Sequence, residues 1–304
     1  MTGPGDSARP AGSAKSDRRG ASRSPRPDAV RLKLVVAYDG AAYQGWQWQK
    51  IGLGVQQKLE EALARIFPST PRVHGSSRTD TGVHALGMVV HFDVPRPAFR
   101  MPARKLVLAV NAWLPDDIRV LSARRCRGDF HARFDATGKQ YRYQVWNHAA
   151  MNPLRRTQAW HVPRRLDVTA MRTAATRLLG AHDFAAFSSN PGYGRRSTRR
   201  TLTRVSVQRA GPLLTVIIEG DGFLYRMCRV IVGTLIEVGL HRLDADDMMR
   251  LLTEPDRRLG GMTAPAHGLV LWKVFYGRPA ARSAKAESSR DGSADSSPLR
   301  DHDS

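Results

Sequence analysis

Residues 75–87 read GSSRTDTGVHALG and gather four hydroxyl side chains, an arginine, an aspartate and a histidine in one short stretch. Before this stretch, apolar residues recur every three or four positions over 55–66, which predicts a helix. After it, residues 87–94 are mostly apolar and predict a strand. The stretch is therefore a turn between a helix and a strand, a kind of loop on which a rigid scaffold displays functional side chains.

Asp80 is the candidate for catalysis within this loop. Arg78 lies two residues away, and a nearby cation favours the carboxylate form of an aspartate. The residues alone leave a second interpretation open, in which Asp80 hydrogen-bonds its own turn before Gly82. The spacing by itself does not decide between these two interpretations.

The body of the chain divides into two halves of similar make-up, 30–128 and 129–279. The patterns of the first half predict strand, helix, strand, helix and strand, at 32–38, 55–66, 87–94, 105–114 and 117–123. Those of the second half predict a strand, a helix, a two-stranded hairpin, two helices and a strand, at 139–146, 167–179, 201–208, 213–219, 223–240, 244–252 and 269–276. We therefore predict an α+β fold whose halves are related by an internal duplication of topology.

Both ends of the chain differ from the body in composition. Residues 1–29 are rich in Ser, Ala, Gly, Pro and Arg without apolar periodicity, and we predict that they and 280–304 are disordered tails. The first tail lacks the apolar stretch of a secretory signal. No apolar run approaches the roughly 18 residues of a membrane span, and Cys126 and Cys228 fit no disulfide framework. We expect a soluble, cytoplasmic protein with no membrane partner.

The net charge of +21 is concentrated in the body. Residues 1–30 carry 6 basic and 3 acidic side chains, and 280–304 carry 4 and 5, which leaves 38 basic and 19 acidic side chains for 31–279. So basic a body indicates a nucleic-acid partner, because Lys and Arg that contact phosphates release condensed counterions. The alternative is a general basic bias that only keeps the surface soluble.

Residues 77–85, SRTDTGVHA, are similar to the GRTDAGVHA signature of the TruA family of pseudouridine synthases. Further blocks resemble that family in the same order: YDG at 38–40, GWQ at 45–47, NA at 111–112, LP at 114–115, Ile118, DFHARF at 129–134, KQYRY at 139–143, LGAHDF at 179–184, RMCR at 226–229, VG at 232–233 and GL at 268–269. The resemblance covers about 32–277, essentially the whole predicted body.

This resemblance implies a tRNA pseudouridine synthase, an RNA-modifying isomerase that acts on uridines 38 to 40 in the anticodon stem-loop. It implies two ferredoxin-like (RRM-like) halves that form a joined antiparallel sheet, with a basic active-site cleft between them. It also implies a homodimer that binds tRNA. Because the reaction is redox-neutral and needs no activated donor, we expect no cofactor and no metal.

The resemblance also assigns roles to five residues. Asp80 is the catalytic carboxylate, and Arg229 reaches across from the second half to pair with it. Arg78 holds the flipped nucleotide or its phosphate; a plain surface arginine is the alternative. Tyr141 stacks on the target uracil and Leu269 forms the opposite wall, with core packing as the alternative for both.

Two positions of the loop depart from the family pattern. Ser77 stands where the family usually has Gly, and Thr81 stands where it usually has Ala. A serine at 77 is unfavourable only if the position requires a positive φ. Neither departure replaces Asp80 or Arg78, so we expect an effect on rate or substrate choice and none on the class of reaction.

Other candidate sites have weaker support. The G-x-G pairs at 52–54 and 192–194 lack the third glycine of a dinucleotide-binding loop. His84, His91 and Asp93 are conceivable metal ligands. However, His84 belongs to the signature of the resembled family without being a ligand there, and His91 and Asp93 lie on a predicted strand with ordinary alternation. The arginine-rich stretch 191–200 is predicted to be a flexible basic loop that contacts phosphates.

Two other function classes remain open at this stage. A catalytically inactive RNA-binding protein or RNA chaperone on a duplicated RRM-like scaffold is one; it has no use for the Asp80 loop, and RNP-type aromatic strands are not evident. A metal-dependent nuclease is the other; it requires clustered carboxylates and loses activity with a chelator.

Overall fold

The computed structural model describes residues 28–49, 51–67, 69, 71–189, 197–254 and 256–277. Nearly all of the two predicted tails lies outside these residues, and so does the part of the predicted basic loop at 191–196. The predicted start of the body can be compared directly. The Asp28 carbonyl accepts a hydrogen bond from Arg96 N at 2.7 Å, and Ala29 begins the first strand. The first half therefore begins slightly before the predicted boundary.

All predicted elements of the first half are present. They are β1 (Ala29–Tyr38), α1 (Val55–Ala64), β3 (His84–Pro95), α2 (Ala103–Asn111) and β4 (Ile118–Arg125), with a two-residue strand β2 (His74–Gly75) in addition. The loop that carries Asp80 connects β2 to β3. The loop therefore follows a short strand, whereas the sequence had predicted that it follows α1 directly.

The predicted elements of the second half are present as well. They are β5 (Ala136–Trp146), α3 (Val168–Thr176), β8 (Arg199–Ala210), β9 (Leu213–Gly220), α4 (Met227–Gly239), α5 (Ala245–Thr253) and β10 (Leu269–Tyr276), with short strands β6 (Trp160–His161) and β7 (Gly180–Asp183) in addition. Asp167 caps α3, because its Oδ1 accepts a hydrogen bond from Ala170 N at 3.0 Å. Only the start of α4 is displaced appreciably, from the predicted residue 223 to Met227.

Within the described residues, the strands form one ten-stranded sheet in a mixed α+β fold. Its order is β4-β1-β3-β10-β5-β9-β8-β7, with β2 and β6 paired to β3 and β5. The two halves meet where β3 pairs with β10, through Val270 opposite His84 and Leu271 opposite Ala85. This pair is parallel, so the prediction of a joined antiparallel sheet is wrong at the junction. Every other neighbouring pair along the order is antiparallel.

Alternation along β1 explains how the first half is built. Three inward residues of β1 are fully buried opposite fully buried residues of β3, in the pairs Leu32–Phe92, Leu34–Val90 and Val36–Met88. The opposite face is also covered. There Arg31 pairs with Asp93 at 2.7 Å and donates to the Phe130 carbonyl at 2.9 Å. Residues after β4 therefore fold back over the sheet and bury the polar side of β1.

Among the described helices, none is long and apolar enough to span a membrane.

Candidate active site

The loop that carries Asp80 is fixed from both sides by the first half. The Thr79 hydroxyl and the Tyr38 hydroxyl lie 2.8 Å apart, and the Thr79 carbonyl accepts from Trp46 N at 3.2 Å. Gly82 has a φ of +77°, a conformation that residues with a Cβ rarely adopt. The backbone therefore presents the side chain of Asp80 at a defined place, as a catalytic loop requires.

Asp80 is paired with an arginine of the other half. Arg229 Nη1 lies 3.2 Å from Asp80 Oδ2, and the two side chains are 14% and 23% exposed. The guanidinium is itself held in place, because its Nε donates to the Ala264 carbonyl at 2.7 Å. A cation on the mostly apolar α4 is costly without such partners. This pair therefore links the two halves at Asp80, the residue that the sequence predicted to be catalytic.

A cavity of about 700 Å³ surrounds this pair. Residues from both halves line it, and all five predicted site residues are among them: Arg78, Asp80, Tyr141, Arg229 and Leu269. In the described part of the chain the lining contains five cationic side chains and one carboxylate, that of Asp80. A cavity of this size falls in the range of about 300–1,000 Å³ typical of small-molecule sites, and its charge favours an anionic ligand.

Tyr141 forms one wall of the cavity and is nearly buried, at 6% exposure. Its ring packs edge-to-face against Phe223, with 5.0 Å between the centroids. Burial raises the pKa of the Tyr141 phenol, so the hydroxyl keeps its proton at neutral pH. Leu269, also 6% exposed, lies at the start of β10. Both residues thus belong to the core and also line the cavity. Core packing and a place in the cavity wall, the two interpretations that the sequence left open, therefore hold together.

The remaining predicted residue, Arg78, is exposed at the cavity mouth.

Arg226 also lines the cavity, and its φ of 61° is left-handed. This conformation costs roughly 1–2 kcal/mol for a residue with a side chain. The left-handed conformation ends the preceding turn and allows α4 to begin at Met227. The first turn of α4, which carries the positive end of the helix dipole, therefore faces the cavity.

Ser77 and Lys139 are two cavity residues whose contacts the sequence did not reveal. Ser77 Oγ lies 3.0 Å from the Tyr141 hydroxyl, and Lys139 Nζ donates to Ser77 Oγ at 3.3 Å. Burial, with the nearby Arg133 guanidinium, lowers the pKa of Lys139 to about 8. Both residues lie in sequence blocks that resemble the family, and this position in a motif was the signal that could have identified them. Their contact could not be predicted, because no local pattern pairs residues 62 positions apart.

The histidines considered as metal ligands have structural contacts. His84 Nδ1 accepts from Gly40 N at 3.0 Å, which ties the Asp80 loop to the end of β1. His91 stacks on His74, with 4.9 Å between ring centroids, and lies 4.6 Å from the His131 ring. Within the residues that the structure describes, no group of three or more His, Cys, Asp or Glu side chains is arranged to hold a metal ion.

Comparison with known proteins agrees with this geometry. A family model described as tRNA pseudouridine synthase matches residues 34–135 and 174–277. The chain is 43% identical over 245 residues to tRNA pseudouridine synthase A of Pelobacter propionicus, which covers 81% of this chain and 99% of the relative. It is 47% identical over 257 residues to the protein of the same name from Solidesulfovibrio magneticus, covering 82% and 92%. The protein from Geobacillus kaustophilus with that name is 44% identical over 248 residues, covering 81% and 94%. On this evidence the chain belongs to the tRNA pseudouridine synthase family.

Proposed function

We propose that this chain converts uridine to pseudouridine in tRNA, with Asp80 as the catalytic carboxylate. The observation that carries the proposal is the Asp80–Arg229 pair, 3.2 Å apart in the lining of a cavity whose other charged side chains, among the described residues, are all cationic. Such a cavity receives a nucleotide with its phosphates and presents the Asp80 carboxylate to it. By its likeness to the family, the chain acts on uridines 38 to 40 of the anticodon stem-loop.

The reaction balances with one carboxylate and no second reactant. When the C1′–N1 bond breaks, its electron pair leaves with the uracil ring, and the Asp80 carboxylate stabilises or traps the electron-poor C1′. The ring turns and a C5 electron pair forms the new bond to C1′, while any bond between Asp80 and C1′ breaks. The hydrogen of C5 leaves as a proton, and N1 takes up a proton from solvent. Product and substrate have the same composition. No oxidant, reductant or activated donor is therefore needed, and we propose that the enzyme works without a cofactor.

The other predicted residues have positions suited to holding the nucleotide. Arg78 is exposed at the mouth, where a guanidinium meets the phosphate of an extruded nucleotide. Tyr141 offers a rigid aromatic wall because Phe223 and the core hold its ring. Leu269 supplies the facing apolar wall. An extruded base needs such walls to replace the stacking that it loses.

We also propose that the two halves, 30–128 and 129–279, are ferredoxin-like units. In the first half the strand order is β4-β1-β3-β2, and in the second it is β10-β5-β9-β8. Numbered within each half, with β6 and β7 left out of the second, both orders are fourth, first, third, second. The helices α1 and α2, and α3 and α4, occupy equivalent connections. This correspondence supports an internal duplication with the site at its junction.

A cytoplasmic homodimer is the working form we propose. The cytoplasm supplies the tRNA substrate, and the dimer follows from the likeness to the family. Sedimentation of the purified protein at several concentrations measures the assembly state, and a single species of monomer mass throughout would refute the dimer.

The decisive experiment follows the hydrogen on C5 of the target uracil. We expect an unmodified tRNA transcript labelled with tritium at C5 to release label to water when mixed with this protein alone, at a few uridines per tRNA. Neither EDTA nor added nucleotide cofactors should change the rate. Free uracil would indicate a glycosidase and shortened RNA a nuclease. Binding without any released label would indicate an RNA-binding protein and refute the synthase.

A further inference from the structure

Three polar groups form a chain of hydrogen bonds along one wall of the cavity. Lys139 Nζ is 3.3 Å from Ser77 Oγ, and Ser77 Oγ is 3.0 Å from the Tyr141 hydroxyl. Ser77 comes from the Asp80 loop of the first half, whereas the other two lie on the same face of β5. The serine therefore links the catalytic loop to the wall on which the base rests.

The chemistry of the ammonium group sets the direction of the first hydrogen bond in the chain. An ammonium group has three donors and no acceptor, so Lys139 can only donate to Ser77 Oγ. A hydroxyl that accepts from a cation becomes a stronger donor itself. Either hydroxyl can donate in the Ser77–Tyr141 contact. The arrangement in which Ser77 donates to the oxygen of Tyr141 leaves the phenolic hydrogen of Tyr141 available to a ligand.

We propose that Ser77 and Lys139 are positioning residues that orient the Tyr141 hydroxyl as a hydrogen-bond donor toward the uracil ring. The inference rests on the proposed function and adds a purpose for the serine that replaces the usual glycine. A glycine at 77 has no atom that can bridge Lys139 and Tyr141.

A donor at this place has a defined use in the reaction. Heterolysis of the C1′–N1 bond leaves its electron pair on the uracil ring, and the negative charge is shared with the ring oxygens. A preorganised O–H group directed at one of these oxygens stabilises the charge as it develops. The raised pKa of the buried phenol agrees with this role, since the group stays protonated while it donates. The chain of bonds should thus accelerate the chemical step more than it strengthens tRNA binding.

The test is a double-mutant cycle between Ser77→Ala and Tyr141→Phe, measured as single-turnover release of tritium with enzyme in excess over tRNA. Ser77→Ala should slow release roughly fivefold, the effect of one hydrogen bond, without changing the concentration of enzyme that half-saturates the rate. In the Tyr141→Phe background Ser77→Ala should have no further effect. Ser77→Thr, which keeps a hydroxyl, should restore most of the rate, and Ser77→Gly should behave as Ser77→Ala.

Ser122→Ala is a matched control, because Ser122 is an exposed residue of β4 outside the cavity lining. Equal effects of Ser77→Ala in both backgrounds, or no effect in the wild-type background, would overturn the inference. If Tyr141→Phe does not fold, the cycle between Ser77→Ala and Lys139→Met replaces it; an additive double variant then overturns the inference and a non-additive one supports it. A wild-type protein that releases no label refutes the proposed function instead, so the two failures are distinct.

Discussion

Arg229 and Asp80 lie 149 positions apart in the chain, yet Arg229 Nη1 and Asp80 Oδ2 are separated by only 3.2 Å. The arginine extends from the first turn of α4 and is held on its other side by the Ala264 carbonyl. The aspartate projects from a loop of the first half. Neither half alone contains the pair, so the relative placement of the halves determines the geometry of the site.

Replacing Asp80 with asparagine should abolish turnover while the protein stays folded and binds tRNA. The substitution keeps the shape of the side chain and removes the charge that C1′ requires. Conversion of an unmodified transcript measures turnover, and filter binding measures affinity. Asp129→Asn, at an exposed carboxylate paired with Arg127, is the control and should convert at the wild-type rate. Residual conversion by Asp80→Asn within tenfold of wild type would exclude Asp80 as the catalytic group.

Arg229→Lys should retain the fold but lower the rate of conversion roughly tenfold or more, because an ammonium group lacks the planar fork of a guanidinium. The wild-type side chain contacts Ala264 and Asp80 with two different nitrogens. A lysine can satisfy one of these contacts at a time. Arg229→Met, which removes the charge, should be slower still. Equal rates for wild type and Arg229→Lys would show that the charge alone matters.

Tyr141→Ala should lower conversion far more than tRNA affinity, since most affinity comes from phosphate contacts spread over the basic surface. The variant should also lose about 3 kcal/mol of unfolding free energy, because the ring is buried against Phe223. Tyr276→Ala is a suitable comparison: that ring is partly buried outside the cavity. If both variants lose rate in proportion to stability, Tyr141 is structural only.

Removing residues 1–27 and 278–304 should leave the melting temperature and the conversion rate nearly unchanged. The truncation spares Ala29, which begins β1, and Asp28, which accepts from Arg96 N. Extending the N-terminal deletion through Leu34 should unfold the protein, because Leu32 and Leu34 are fully buried. A large loss of tRNA affinity in the shorter truncation would instead place the terminal arginines in the RNA contact.

The cluster of His74, His91 and His131 should make the protein acid-sensitive. Burial, followed by the charges of neighbouring groups, lowers the pKa of His91 to about 3 and that of His131 to about 4. The unfolded chain protonates His91 and His131 below about pH 6.5, whereas the folded chain does so only near pH 3 to 4. Stability therefore rises with pH across this window and is lost as the pH falls through it.

Urea unfolding at pH 7 and pH 5 measures this effect. His91→Gln should lose roughly 1–2 kcal/mol less than wild type between the two pH values, the share of one buried neutral histidine. Identical losses in both proteins would show that His91 takes up its proton without unfolding.

Local patterns predicted the long elements well, for physical reasons. Alternation in β1 and the four-residue spacing in α1 reflect burial on one face, and a single stretch of sequence reports that burial. Strands of two to four residues, such as β2, β6 and β7, are too short to show a period. The start of α4 depends on the left-handed Arg226, a conformation that residue type does not announce. The parallel direction of the β3–β10 pair results from packing between halves, which no local pattern encodes.

The sequence also singled out five residues that the structure places in the lining of one cavity. The loop around Asp80 was recognisable because hydroxyl, charged and glycine residues are concentrated there. Ser77 was noticed only as a departure from a pattern, because its contacts with Lys139 and Tyr141 come from residues more than 60 positions away. Tyr141 and Leu269 showed why burial and function are hard to separate by sequence, since each belongs to the core and lines the cavity.

The parallel pairing of β10 with β3 has a consequence for the order of events during translation. The first half emerges from the ribosome with its Asp80 loop early, and domains generally begin to fold from the N-terminal side. Among the described strands, the one that lies between β3 and β5 is synthesised last, and it brings Leu269 to the cavity wall. The nascent chain thus contains Asp80 long before it contains Leu269, which completes the cavity wall. We expect a chain released before residue 269 to be inactive toward tRNA, because it lacks the described strand that completes the cavity wall.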